Sequence, residues 1–335
     1  MFANLLNRII DPFSIIAFSS DSRMLYKGDI YKALTLPAGS ILHFRYKLKY
    51  MDSQLVASPN KCEGRSIYIF HTKGNYGTEE NSNKMKHIPI RKGKIYSCFK
   101  SEDTEACHLY IKLGDFFDCE ENALANVKKP ENKIFLSKIP NFSSHKVSWQ
   151  NRINELKDNS FEVGLFIYCK GIWKKGKKIS PKIDKFSKAS FYPIVHGRGY
   201  ILKLAIANPS DCYDYAKVKW DENLVGLDLP EKIETSLQYD DEAINFFIKK
   251  LEVKEQHTSI KISPTIETRG SEFASNIQLR IKKSISSSIL FGFMASAALF
   301  LYAILKENQS SILWIIGFFS AWFLASTLHH FFNKK

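Results

Sequence analysis

Residues 42–50 read Leu42-His43-Phe44-Arg45-Tyr46-Lys47-Leu48-Lys49-Tyr50. Apolar and aromatic side chains alternate with imidazole and cationic ones, and a period of two puts each set on its own face of an extended strand. Shorter runs of the same kind recur at 14–18, 66–71, 94–100, 108–113, 161–170, 199–207, 216–220 and 259–263. The abundance of Phe (25) and Tyr (15) suits half-buried pleated surfaces rather than disorder. We therefore expect a mainly β fold, sandwich or barrel-like, with peripheral helices.

Helical spacing is weaker and falls at 2–10, 120–127, 148–157 and 240–251. In the last of these, Ala243, Phe247 and Leu251 share a face. A further stretch, 273–284, has helix-compatible spacing through Ile277 and Ile281 and is expected to be a juxtamembrane helix.

That expectation arises because the chain next turns strongly apolar. Residues 285–305 read ISSSILFGFMASAALFLYAIL and residues 312–328 read ILWIIGFFSAWFLASTL, with no charge in either. Such lengths match the hydrocarbon core of a bilayer, so 285–332 is expected to form a transmembrane helical hairpin. Arg280, Lys282 and Lys283 precede it and Lys334 and Lys335 follow it. The excess of cations at both flanks predicts a two-pass protein of the inner membrane with both termini cytoplasmic. Each span carries small residues at a spacing of four: Ser288, Gly292 and Ser296, then Gly317, Ala321 and Ala325. These stripes either pack the hairpin on itself or join subunits of a homo-oligomer. The spans contain no acid or base of the kind that marks a proton or ion pathway, which argues against a transporter.

The net charge of +14 resides almost wholly before the hairpin and is carried mostly by Lys. Anionic lipid headgroups are the expected partner of such a surface. The scarcity of Arg, the better reader of base edges, argues against specific nucleic-acid recognition. The densest run is Trp173, Lys174, Lys175, Lys177, Lys178, Lys182 and Lys185, with Asp184 its single acid. A solvated loop explains it without function; interleaved with aromatic residues, it is also the candidate contact with an anionic leaflet.

A short internal similarity links Pro89-Ile90-Arg91-Lys92-Gly93-Lys94 to Pro193-Ile194-Val195-His196-Gly197-Arg198. It suggests two related β units, 1–128 and 129–272, although shared turn chemistry accounts for the same identities and 1–272 then forms one domain. If the repeat holds, His196 and Arg198 in one turn, and Arg91 and Lys92 in the other, line one cleft for a small anionic ligand. The acidic cluster at Asp115, Asp118, Glu120 and Glu121 lacks the alternating carboxylates and glycine of a calcium loop, and the one at 240–242 falls where the expected helix has its N-terminus and favours negative charge. The six cysteines show no zinc or disulfide spacing, and no hydrolase, phosphate-loop or dinucleotide motif occurs. The sequence thus points to no enzyme, no metal and no cofactor.

A soluble β domain followed directly by a two-helix hairpin resembles the membrane-acting effectors of bacterial anti-phage defence. The resemblance covers domain order and helix count. It implies that the soluble part senses a ligand or partner protein and that the hairpin then assembles in, or perturbs, the membrane. A tethered adaptor that recruits a partner to the inner membrane has the same layout.

Overall fold

A computed structural model describes residues 14–20, 24–73, 86–101, 103–120, 134–136, 144–158, 166–207, 215–220, 232–234, 239–248, 255–265 and 275–282, with Gly317. These residues are mainly β, in three sheets. The first sheet comprises β1 (Ile15–Ser20), β2 (Ile41–Lys47), β3 (Ser66–Lys73), β4 (Lys86–Ser101), β5 (Ala106–Cys119) and β6 (Ile134–Leu136), in the order β2-β5-β4-β3-β1-β6. A short β7 (Ser144–Lys146) adds to β5.

In β2 the alternation read from the sequence becomes burial: Leu42, Phe44 and Tyr46 face the core while His43, Arg45 and Lys47 are exposed. The strand ends at Lys47, earlier than the pattern suggests. Leu48 donates its N–H to the Glu105 carbonyl, and Leu48–Tyr50 turn into a 3-10 helix.

Helix α1 (Met24–Thr35) has no counterpart in the sequence expectations. Gly28 in its middle costs about 1 kcal/mol relative to Ala. Ile30, Tyr31, Ala33 and Leu34 are buried in the core, and full burial of one Ile or Leu contributes about 1.5–3 kcal/mol. Packing therefore outweighs propensity, and α1 is central rather than peripheral. A short α2 (Ser53–Ala57) is capped by the Asp52 carboxylate, which accepts from Gln54 N–H. Helix α3 (Trp149–Asp158) lies where helical spacing is read, with Trp149, Ile153 and Leu156 in the core.

The second half supplies two more sheets. One runs β15-β12-β8-β9, from β8 (Phe166–Lys174), β9 (Lys177–Ile179), β12 (Arg198–Ala207) and β15 (Tyr239–Ile248). The other runs β10-β11-β17-β16-β13-β14, from β10 (Lys182–Ile183), β11 (Ser190–Val195), β13 (Tyr215–Trp220), β14 (Lys232–Glu234), β16 (Glu255–Thr265) and β17 (Ser275–Lys282). One apolar cluster draws on both: Ile167, Cys169, Ile172, Leu202 and Leu204 from the first, Ile194, Ile260, Ile262, Leu279 and Ile281 from the second. Phe166, Ala205 and Ala207 instead join the core of the first sheet.

Two expected helices are strands. Residues 239–248 pair along their whole length with β12, and 275–282 sit between β11 and β16. In the second case Ile277, Leu279 and Ile281 are buried while Asn276, Gln278 and Lys282 are exposed. Two isoleucines four apart satisfy either period; Leu279 between them decides for the strand.

Among the described residues, no helix is long and apolar enough to cross a membrane. The segments 285–305 and 312–328 lie outside the described residues except for Gly317, which is helical and exposed. Ser288, Gly292, Ser296, Ala321 and Ala325 also lie outside them, as do the expected helix at 2–10, residues 121–127 of the next one and the boundary at 128–129.

Candidate functional site

The ends of β8, β11 and β17 and the starts of β9 and β12 meet at one end of the second half, and the basic residues collect there. Strand β8 leads into the turn Lys175-Gly176, where both residues have positive φ (48° and 75°). This is the geometry of a two-residue hairpin whose twist matches its strands, and Gly176 fits it without strain. Lys174 and Lys177 close the ladder. Strand β12 begins beside this turn, with Ile201 opposite Trp173. It is reached from β11 through His196 and Gly197, the latter at φ +68°. Strand β17 runs parallel to β11, so that Val195 pairs with Lys282. The His196 N–H donates to the Lys282 carbonyl at 3.2 Å.

The rim so formed carries Lys174, Lys175, Lys177, His196, Arg198 and Lys282. The turn holding His196 is ordered by Tyr200, whose hydroxyl accepts from Val195 N–H at 2.7 Å and donates to the Val195 carbonyl at 3.1 Å. No sequence pattern singles out Tyr200 for this. Burial, and then the like charges of Arg198 and Lys175, hold the Lys174 ammonium below the usual lysine range. Its Nζ lies 5.9 Å from the Tyr200 ring centre. Glu255 stands opposite Lys282 in the ladder.

The rest of the polybasic run disperses. Trp173 has two cations over its ring, Lys178 Nζ at 5.3 Å and Lys203 Nζ at 5.1 Å from the ring centre. Burial lowers the pKa of Lys178. Lys182, on β10, is paired with Phe191 at the far end of β11 from the rim. Four residue steps separate Phe191 from Val195, about 13 Å. Lys185 shares that far end, in a tight turn that presents Phe186, 96% exposed. The turn is fixed by Asp184, which accepts from Phe186 and Ser187 N–H and pairs with Arg280 at 2.6 Å. The Ser187 N–H first, then Arg280, hold the Asp184 carboxyl down at about 2.

Arg91 and Lys92 do not join His196 and Arg198 in a shared pair of turns. Residues 89–94 lie inside β4, whereas 193–198 span the β11–β12 connection, so the sequence similarity aligns a strand interior with a turn. Arg91 is fully buried. Its Nη1 donates to the Ala33 and Leu36 carbonyls at 2.8 and 2.5 Å, and its Nε to Gly114 O at 2.9 Å. The guanidinium lies 4.4 Å over the Phe116 ring. Burial lowers its pKa to about 10, which leaves it charged at neutral pH. It serves the C-terminus of α1, where carbonyls lack helical partners and the helix dipole is negative. Lys92 is exposed, with its Nζ 5.4 Å from the Tyr68 ring.

Asp115 pairs with exposed Lys146, and Asp118 lies 3.6 Å from buried Arg152, so both acids have structural partners. Among the described residues no three His, Cys, Asp or Glu side chains gather to hold a metal ion. No protein-family model matches this chain, and no curated protein matches it.

Proposed function

We propose that this chain is a membrane-anchored sensor and effector of the inner membrane. Its β-rich part rests its basic rim on an anionic leaflet, and the hairpin 285–332 assembles in or perturbs the bilayer once that part binds its trigger. The observation that supports this is the position of Lys282. It is the last residue of β17, three positions before the first apolar segment, and it lies at the same end as Lys174, Lys175, Lys177 and Arg198. A chain entering the membrane from there brings those cations to the headgroups, where each contributes on the order of 1 kcal/mol.

Expression of the full chain in bacterial cells tests the reading. The protein is expected in the membrane fraction after carbonate washing, with both termini protected in sealed right-side-out vesicles. Charge reversal at Lys174, Lys175 and Lys177 is expected to weaken its effect on membrane potential and viability. Recovery in the soluble fraction would refute it. Membrane residence with unchanged potential, even at high expression, would identify a tether that recruits a partner instead.

A further inference from the structure

The outer face of the first sheet carries a second assembly, built from side chains that no motif connects. His43 on β2, His108 and Tyr110 on β5, and Phe99 on β4 stand together with nearly parallel rings. His43 lies 4.7 Å from Tyr110 at 15° and 5.1 Å from His108 at 11°. Phe99 lies 5.1 Å from His108 at 3° and 6.0 Å from Tyr110 at 21°. His43 Nε2 and His108 Nδ1 share a hydrogen bond at 2.9 Å, one donating and the other accepting. The cross-strand register fixes the cluster, since His43 opposes Tyr110 and Phe99 opposes His108.

These rings are not core. Phe99 is 41% exposed, and His43 is exposed on the edge strand β2. Among the described residues no strand flanks β2 on its outer side, and β3 pairs with β4 only as far as Lys94, short of Phe99. Arg45, Lys47, Lys94, Lys100 and Lys112 are exposed on the same three strands and outnumber the acids nearby among the described residues, which are Glu63, whose carboxylate accepts from Cys98 N–H, and Asp103 and Glu105 in the β4–β5 turn. Segments 41–47, 92–101 and 106–113 contain no Asp or Glu. The nearest carboxyl on α1, Asp29, is itself within reach of Lys32 and Arg45.

We propose that this face is a stacking platform for single-stranded nucleic acid. Aromatic rings on an open sheet face receive unstacked bases, and flanking cations track the phosphates. The His43–His108 hydrogen bond lies in the ring planes, so these two rings sit edge to edge, His43 with one face against Tyr110 and His108 with one face against Phe99. A base is received on the opposite face of a paired ring, His43 or Phe99. Stacking tolerates any base, so the scarcity of Arg, which bears on reading base edges, does not count against it. A duplex hides its base faces and offers this platform only phosphates. The inference does not rest on the membrane reading, which concerns the other half of the chain.

Fluorescence anisotropy on the full chain in zwitterionic micelles tests it, with labelled twelve-residue oligo-dT, oligo-U and a duplex of the same length at about 150 mM salt. Single strands are expected to bind at least tenfold more tightly than duplex. The double variant His43→Ala, Phe99→Ala is expected to lose about tenfold or more for single strands and to keep its duplex affinity. Phe99→Leu, which preserves bulk, gives the same direction if folding is a concern. Preference for oligo-U would assign RNA as the ligand, and preference for oligo-dT would assign DNA. Equal affinity for duplex, no loss in the aromatic variants, or equal competition by polyglutamate would each overturn the proposal and leave only general attraction of polyanions. Charge reversal at Lys174, Lys175 and Lys177, which tests the membrane reading, is expected to leave the ratio between wild type and the aromatic variant unchanged.

Discussion

Arg91 Nη1 donates to the Ala33 carbonyl at 2.8 Å, joining the middle of β4 to the end of α1. The same guanidinium satisfies Leu36 and Gly114, while Trp149 Nε1 donates to the intervening Leu34 carbonyl at 3.1 Å. Replacing Arg91 by Met leaves the buried Ala33 and Leu36 carbonyls and the half-buried Gly114 carbonyl without this donor, and each buried unsatisfied group costs about 1–3 kcal/mol. Urea unfolding is expected to give a loss of at least about 3 kcal/mol for Arg91→Met. Arg91→Lys should fall between, because one ammonium cannot span all three carbonyls.

Asp29 gives a pH signature of its own. Burial pushes its carboxyl up to about 6, against the pull of Lys32 and Arg45. An acid with a raised native pKa binds more protons folded than unfolded between about pH 4 and 6, so its contribution to stability falls as pH rises through that window. Asp29→Asn is expected to remove that slope and to gain about 1–3 kcal/mol at pH 7. Melting curves from pH 4 to 7 for both proteins check it.

The ring cluster titrates in the opposite sense. Partial desolvation first, then His108, Arg45 and Lys32, hold His43 below the usual imidazole range, and partial desolvation and then Arg45 do the same to His108. The unfolded chain therefore takes up these protons first on acidification, and stability is lost as pH falls below about 6.5. His108→Gln removes one of the charges acting on His43. NMR titration of the His43 ring is expected to show its pKa moving up.

How much of this was readable beforehand depended on whether burial follows one clean period. Strand β2 was readable because Leu42, Phe44 and Tyr46 alternate with charges; its end was not, since Tyr50 continues the pattern by coincidence past a backbone bond to Glu105. Residues 240–251 looked helical through Ala243, Phe247 and Leu251, yet they follow β12 as a strand through Ile248, because pairing partners more than thirty residues away are invisible to local spacing. Helix α1 escaped notice because it is held by what it packs against. At the basic rim the individual residues were readable and their meeting point was not. His196, Lys174 and Lys282 are brought together by strand pairing alone. Arg91 was misread because an arginine beside Lys92 and Gly93 looks like a surface turn, and only a neighbouring helix end explains its burial.

Gly171 marks a position where sequence tolerance should be narrow. It sits at φ +126°, where the β8–β12 register shifts. A Cβ there would lie 2.9 Å from Lys178 Cε and 3.2 Å from the Tyr192 hydroxyl. Gly171→Ala is expected to cost about 1–3 kcal/mol, read as a lowered midpoint in urea.

Strand β17 is flanked on one side by β11, running parallel, and on the other by β16, running antiparallel. Lys282 therefore ends a strand that is interior to its sheet. A displacement there loads two rows of backbone hydrogen bonds together in shear, rather than unzipping one row bond by bond. A pull along β17 is thus borne by the strand that carries Leu279 and Ile281, in the core shared by the two sheets.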